Sequence, residues 1–148
     1  NIIEDPNYVP EPDPDTDFQG DGSSYDNAIS LGLIGNSTDS LTFNTENSTV
    51  SDTELGLYNA NGFLVTVDDD SGSNLLSQIS TTLSAGTYYI VGGGYNTVFN
   101  FSGWSVSSSS SETGTFVLNH SGGSIISSGT ISNQLSSQEV VWFSFTIE

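Results

Sequence analysis

Three consecutive carboxylates are the residues of this chain best suited to chemistry. Asp68, Asp69 and Asp70 follow the strand-like stretch FLVTV and precede the loop-forming residues SGS. Adjacent like charges repel, and a divalent cation such as Ca²⁺, which takes about six to eight oxygen ligands, would relieve that repulsion. Because successive side chains diverge where a strand enters a loop, we expect one ion to take two of the three. The alternative is a solvated acidic loop whose carboxylates cap turns.

A second group of acids begins with the D-x-D-x-D spacing of a calcium-binding loop. These residues are Asp13, Asp15 and Asp17. The EF-hand pattern fails after this start, because Phe18 stands where it needs Gly and Ser24 where it needs Glu. We therefore predict that this group could form a calcium site of a kind other than an EF-hand.

Catalysis has few candidate residues in this chain. Cys and Lys are absent, so two common nucleophiles are missing, and His120 in LNHSGG is the one histidine that a Ser-His-Asp triad could use. Its position beside glycines at a predicted strand end favours a structural role. Two carboxylates could cleave a glycoside, but pairs of acids arise easily in so acidic a chain. We therefore predict no catalytic residues and no enzyme activity.

Two further features could serve modification or binding. Sequons for N-glycosylation begin at four asparagines, although a chain rich in Asn, Ser and Thr acquires such patterns by chance. Four aromatic residues near a glycine-rich turn could stack on sugars, with core packing as the alternative. The asparagines are Asn36, Asn47, Asn100 and Asn119, and the aromatic residues are Tyr95, Phe99, Phe101 and Trp104.

The charge balance excludes two classes of partner. The 148 residues include 18 acids and no Lys or Arg, which gives a formal net charge of -18. Only 12% of the residues are charged, about half the usual share, so the chain is stripped of base rather than enriched in acid. Without cations to neutralise phosphate, neither nucleic acid nor an anionic membrane surface is an expected partner. Resistance to trypsin-like proteases and a saline habitat are two competing explanations of the bias.

The absence of Cys and Met bears on the compartment. No disulfide and no thiol chemistry are available to a chain without Cys. Because the sequence contains no Met, we expect that a signal peptide was removed before Asn1. No apolar run approaches the roughly 18 residues of a membrane span. These features together predict an extracellular or cell-surface location.

Short strands must position these residues. From about residue 26, apolar residues alternate with polar ones and turn signals recur about every ten residues, which is typical of a single antiparallel, jelly-roll-like β-sandwich. Asn61-Gly62 predicts a hairpin turn. No stretch has a convincing helical period. The predicted strands are 28–34, 40–44, 54–58, 62–67, 76–83, 86–93, 99–107, 113–119, 124–131 and 138–147.

Residues 1–25 differ from the predicted sandwich at 26–148. Pro10, Pro12 and Pro14 stand at alternate positions among acids, which favours an extended backbone. The segment also contains four apolar residues that could fill a groove on a neighbouring molecule, namely Ile2, Ile3, Tyr8 and Val9. We predict an extended acidic arm that assembles copies of the chain, and a leader without contacts is the alternative.

One stretch resembles a known family. Residues 51–96, SDTELGLYNANGFLVTVDDDSGSNLLSQISTTLSAGTYYIVGGGYN, resemble the bacterial pre-peptidase C-terminal (PPC) domains of secreted and surface proteins. The resemblance extends over about residues 26–148 and implies an extracellular β-sandwich without an active site. It also implies that Asp52 joins the later aspartates, because the family pattern pairs an Asp at this position with an N-D-D segment. Asp68 departs from that pattern, which has Asn there.

These observations predict a function class. The expected function is a non-catalytic structural or adhesive subunit of an extracellular filament or matrix, possessing a Ca²⁺ site at Asp52, Asp69 and Asp70. The resemblance implies the first alternative, a calcium-dependent module that binds a polysaccharide or a fibrous protein, since relatives such as collagenase collagen-binding domains do so. A virion surface protein is a weaker alternative.

Overall fold

A computed structural model describes residues 19–148 as an all-β sandwich, which confirms the predicted fold class. The strands are β1 (Ile29–Gly35), β2 (Leu41–Asn44), β3 (Thr53–Asn59), β4 (Leu64–Asp68), β5 (Gln78–Thr81), β6 (Gly86–Gly94), β7 (Thr97–Phe99), β8 (Val106–Ser108), β9 (Gly114–Ser121), β10 (Ser128–Leu135) and β11 (Val141–Ile147). A single turn of 3-10 helix, Tyr25–Asn27, precedes β1.

Two sheets form the layers of the sandwich. The five-stranded sheet has the order β1-β11-β6-β3-β4, and the four-stranded sheet has the order β10-β9-β2-β5. The chain crosses repeatedly between them, from β1 to β2, back to β3, and again from β4 to β5 and β6, which is the jelly-roll-like feature. β1 pairs with β11 in parallel, so the larger sheet is mixed, whereas the sequence analysis predicted only antiparallel pairs. A parallel pair needs a long crossover, which the excursion of the chain through both sheets supplies.

The core lies between the two sheets. In β11 the alternating residues Phe143, Phe145 and Ile147 face inward and are fully buried, as the period of two in the sequence predicts. Phe116 from the opposite sheet packs on Phe143, with ring centroids 6.3 Å apart. Burial of each large apolar side chain contributes about 1.5–3 kcal/mol, so this face is the main source of stability.

A second apolar layer covers the outer face of the five-stranded sheet. Trp142 and Tyr58 point away from the core, and the β7–β8 hairpin and the 3-10 turn pack over them. Tyr25 stacks on Trp104, with centroids 4.0 Å apart and planes 3° apart. The predicted Asn61-Gly62 turn is present between β3 and β4, and a Cβ at Gly62 would lie 2.7 Å from the Trp104 ring. This glycine therefore both forms the turn and admits the indole.

Two predicted strands are wrong. The segment 99–107 is not one strand, because Gly103 and Trp104 adopt φ of 76° and 49° and turn the chain between β7 and β8. The segment 124–131 begins too early, because Ile125 and Ile126 lie in a loop where both N–H groups donate to the Ile34 carbonyl. The strand β10 extends instead through the polar run SNQ, which pairs with β9.

The arm prediction falls largely on residues outside the described part of the chain. Ile2, Ile3, Tyr8, Val9, Asp13, Asp15 and Asp17 all lie there. Residues 20–25, which were predicted as the end of the arm, pack on the sandwich: the Gly22 carbonyl accepts a hydrogen bond from Trp142 N–H at 2.8 Å. Within residues 19–148, no helix has the length and apolar character needed to traverse a bilayer.

Substitution of Gly92 is expected to destabilise the sandwich. A Cβ at Gly92 would overlap the Phe116 ring across the core. We expect Gly92→Ala to cost about 1–3 kcal/mol by overpacking, measured as the free energy of unfolding in urea. Phe116→Leu in the same chain should reduce that cost, because the smaller side chain leaves space. Strictly additive effects of the two substitutions would contradict this account of the contact.

Candidate carboxylate site

The β3–β4 hairpin brings the predicted acids together. Asp52 immediately precedes β3, while Asp69 and Asp70 immediately follow β4. The strands pair antiparallel with Leu55 opposite Asp68, so the start of β3 lies beside the end of β4. Asp69 and Asp70 follow Asp52 by seventeen and eighteen positions in the sequence. The turn at Asn61-Gly62 nevertheless makes them spatial neighbours.

Buried hydroxyl groups hold the loop that follows the aspartates. Thr45, Thr53 and Ser77 are completely buried, and their side-chain oxygens are linked at 2.7 Å (Thr45 to Thr53) and 3.0 Å (Thr53 to Ser77). Ser77 Oγ also lies 2.6 Å from the Asp69 carbonyl oxygen. Because buried polar groups are costly to leave unpaired, this network fixes the loop backbone against β3.

The three carboxylates converge on a small volume. One carboxylate oxygen from each of Asp52, Asp69 and Asp70 lies within 4.8 Å of the other two. Asp52 is half-buried, and its Oδ1 is buried without a hydrogen-bond partner among the described residues. An unpaired buried carboxylate oxygen is expensive, so a proton, a water molecule or a cation at this atom would be stabilising.

The electrostatics of the group favour protons or cations. Burial, followed by the nearby charges of Asp70 and Glu112, raises the pKa of Asp52 above its ordinary value of 3.8. Asp69 is exposed overall, yet partial desolvation raises its pKa, and a hydrogen bond with Asp70 and the charges of Asp70, Asp52 and Asp68 add to that shift. Each shift means that the ionised form is disfavoured where it stands, and a bound cation would remove that penalty.

Asp68 lies outside this group. Its carboxylate oxygens accept hydrogen bonds from the N–H groups of Ser71 and Gln78, both at 2.9 Å, and from the Ser71 hydroxyl. Asp68 therefore caps the loop, whereas Asp69 and Asp70 face Asp52. Of the three consecutive aspartates, the structure brings Asp69 and Asp70 beside Asp52, and the sharing of an ion between them stays a prediction.

Two glutamates that the sequence analysis did not select border the group. Glu112, in the β8–β9 connection, accepts hydrogen bonds from Ser51 N–H at 3.1 Å and Asp52 N–H at 3.3 Å. Glu54, in β3, accepts from Asn96 and Thr97 N–H, and burial followed by the charge of Asp69 raises its pKa. Glu54 is two positions after Asp52, so the sequence could have indicated that it borders the site. Glu112 is 60 positions after Asp52, and no local sequence pattern connects the two residues.

His120 faces the core and stands apart from the acidic group. It lies opposite Phe43 and Gly129, and its Nε2 occupies the space where a Gly129 Cβ would be. Burial lowers the pKa of His120 below its ordinary value of 6.5, so the ring is neutral at pH 7.

The sequon asparagines differ in how their side chains are used. Asn119 donates both amide hydrogens, to Asn44 Oδ1 and to the Glu46 carbonyl, and Asn36 donates to Ser124 Oγ. Asn100 is exposed but donates to Ser105 Oγ. Asn47 is exposed in a turn at φ 70° and makes no side-chain hydrogen bond within residues 19–148. Of the four, Asn47 is the best placed for modification.

The four aromatic residues near the glycine-rich turn separate into two pairs. Phe99 and Trp104 pack in the outer apolar layer, whereas Tyr95 and Phe101 are 55% and 66% exposed. Phe101 contacts Phe63, with ring centroids 5.7 Å apart.

Comparisons with known proteins return no match. No protein-family model, no curated protein and no solved structure is significantly similar to this chain. The resemblance to PPC domains therefore stays a prediction.

The donor set suits a hard divalent cation. All three converging ligand groups are carboxylates, which Ca²⁺ prefers, and no nitrogen or sulfur ligand adjoins them in residues 19–148. The orphaned Asp52 Oδ1 and the disfavoured charges at Asp52 and Asp69 are what a bound Ca²⁺ would satisfy.

The pH dependence of the metal-free protein should reveal the buried charge of Asp52. A carboxyl whose folded-state pKa is raised stabilises the fold when protonated, and that contribution is lost as pH rises through the folded value. We therefore expect wild type to gain stability relative to Asp52→Asn as pH falls from about 7 towards the ordinary value of 3.8. The free energy of unfolding of both proteins is measured in urea, in chelator-treated buffer, at each pH. The titration of His120 contributes equally to both proteins and cancels in the difference. Parallel pH curves would contradict the assignment.

Proposed function

We propose that this chain is a non-catalytic extracellular structural or adhesive subunit of a cell-surface assembly, such as a filament or matrix, stabilised by Ca²⁺ at Asp52, Asp69 and Asp70. The observation that carries the proposal is the buried Asp52 Oδ1, which lies beside two other carboxylates and has no hydrogen-bond partner in the part of the chain that the structure describes. The chain contains no Lys or Arg that could serve as counter-ion. A dissolved cation could therefore supply the positive charge that Lys and Arg supply in other proteins.

The proposed setting outside the cell follows from the nature of the site. Asp69 and Asp70 are exposed, and the loop around them is built from Ser, Gly and Asn. Calcium sites of extracellular modules are weak, with dissociation constants of roughly 10⁻⁴–10⁻³ M, and a half-open site with three carboxylates fits that class. The lack of tryptic cleavage sites suits a long-lived protein in the same setting.

The proposed absence of catalysis is supported by where the reactive groups lie. His120 packs on Phe43 and Gly129 and makes no hydrogen bond to a serine or a carboxylate within residues 19–148. The converging carboxylates of Asp52, Asp69 and Asp70 lie at one end of the β3–β4 hairpin, where the buried hydroxyls of Thr53 and Ser77 hold the loop backbone. This arrangement supports ion binding better than acid–base chemistry, which needs a proton donor and acceptor facing a substrate cleft.

A polysaccharide-binding module is the alternative that one observation favours. A polar cleft of about 460 Å³ lies between the turn at residues 21–23 and the end of β10. It is lined by carboxylate, hydroxyl and amide groups, which suit sugar hydroxyls: Asp21, Ser23, Asn133, Gln134, Gln138 and Glu139. No aromatic residue lines it, so the stacking surface that sugars usually use is missing there.

Calcium should stabilise the folded protein through the three aspartates. At a Ca²⁺ concentration about 100 times the dissociation constant, mass action contributes about 2.7 kcal/mol. We expect a higher melting temperature in millimolar Ca²⁺ than in EDTA, and a much smaller difference for Asp69→Asn and Asp70→Asn. Asp26→Asn is the matched control, because Asp26 is an exposed aspartate in the 3-10 turn, away from the group. An equal response in all four chains would sink the calcium assignment.

Assembly can be tested separately from calcium binding. We expect native material to contain polymers or large oligomers by negative-stain microscopy and light scattering. A monomer that shifts on a glycan array would support the polysaccharide-binding alternative instead. A monomer without any glycan response would count against both functions.

A further inference from the structure

The four sheet edges of the sandwich differ in how they are protected. Natural edge strands are shortened, bulged, charged or interrupted by proline, because unpaired backbone groups otherwise recruit another strand. The edge strand β5 has only four residues; β4 has a register shift and ends at Asp68; β1 has two register shifts. β10 has eight residues in unbroken register with β9 and contains neither a charge nor a proline.

The backbone of β10 is therefore open along its free side. In an antiparallel pair every second residue turns its N–H and C=O away from the partner strand. None of the outward groups of β10 has a hydrogen-bond partner among residues 19–148. Eight regular residues offer a template about 26 Å long, enough for several new backbone hydrogen bonds.

Apolar side chains lie along the same side of the molecule. β1 and β10 are the edges of their sheets opposite to the β4–β5 side, where those two strands approach each other. Leu31 of β1 and Ile131 of β10 are only partly buried against the core. Leu33, Ile125 and Ile126 are 39%, 46% and 36% exposed near the shared end of this side. An added strand at β10 would cover part of this apolar surface.

We propose that the β10 edge receives residues 1–9 of a second copy of this chain by β-addition. This inference rests on the proposed assembly function. The stretch NIIEDPNYV supplies Ile2, Ile3, Tyr8 and Val9 to the apolar side, and Pro6 limits the ladder to a short one. β1 and β10 have no charged side chain, and Asp21 and Glu139 border only the end of β10, so this edge repels an acidic segment less than the β4 end with its converging aspartates does.

The second copy is the favoured source because of where the described chain begins. Gly20 N–H donates to the Ala28 carbonyl, so the chain enters beside the start of β1. Residues 10–18 connect this entry to residues 1–9, and nine extended residues span up to roughly 30 Å. That reach exceeds the roughly 26 Å of β10, so a connector of this length would allow residues 1–9 to meet the β10 edge of a second copy.

Disulfide trapping between two chains tests this docking. The protein has no Cys, so each bridge comes only from the introduced pair. Full-length chains containing Ile2→Cys or Ile3→Cys are mixed with chains containing Thr130→Cys or Ser132→Cys in the exposed positions of β10. The two arm positions sample both faces of an added strand. Val67→Cys in the β4 edge is the matched control, because Val67 is also exposed.

The readout is the mixed disulfide, identified by mass spectrometry after digestion at Asp and Glu. We expect bridges from the arm to β10 at least tenfold more abundant than bridges to β4. Equal or greater bridging to Val67→Cys would overturn the choice of β10. Assembly without any mixed disulfide would overturn the docking and leave the proposed function standing. If light scattering shows that the unmodified protein does not assemble, both the docking and the proposed assembly function are overturned.

Discussion

The constraint on which this structure depends is that its negative charges have no cationic side chain to pair with. Backbone N–H and hydroxyl groups take that role instead. Asp39 accepts hydrogen bonds from Asn36 and Ser124 N–H, which lower its pKa, and Asp21 is held in the same way by Ser23. These carboxylates cap turns and so hold the connections between strands. These carboxylates thus stabilise turns by accepting hydrogen bonds from nearby backbone N–H groups, and they do not form ion pairs with Lys or Arg.

The carboxylates at the end of the β3–β4 hairpin are the exception to this rule. Glu54 and Glu112 each accept hydrogen bonds from two backbone N–H groups, but no group of residues 19–148 donates to Asp52 Oδ1. The buried hydroxyls of Thr45, Thr53 and Ser77 fix the surrounding loop, so the group cannot relax by moving apart without breaking that network. Rigid surroundings and uncompensated charge together make an ion site there a physically reasonable use of the acids.

The absence of cationic side chains also affects how the edges of the sheets are protected. Lysine is a common protection of exposed edge strands, and this chain has none. β1 and β4 are instead interrupted by register shifts, and β5 is short. β10 alone among these four has a long and regular free side, and the partly buried Leu31 and Ile131 lie on that side of the core. A strand from another molecule would satisfy its backbone and cover apolar surface in one step.

The sequence by itself determined the strands whose side chains alternate strongly, such as β11 with Val141, Phe143, Phe145 and Ile147, and the hairpin turn at Asn61-Gly62. Both signals are local, since a period of two and a turn dipeptide need no distant partner. Only the tertiary structure decided the start of β10, because the polar run SNQ becomes a strand through pairing with β9. It likewise separated Asp68 from Asp70 and brought Glu112 to Asp52, since hydrogen bonds to distant backbone groups decide where each carboxylate points.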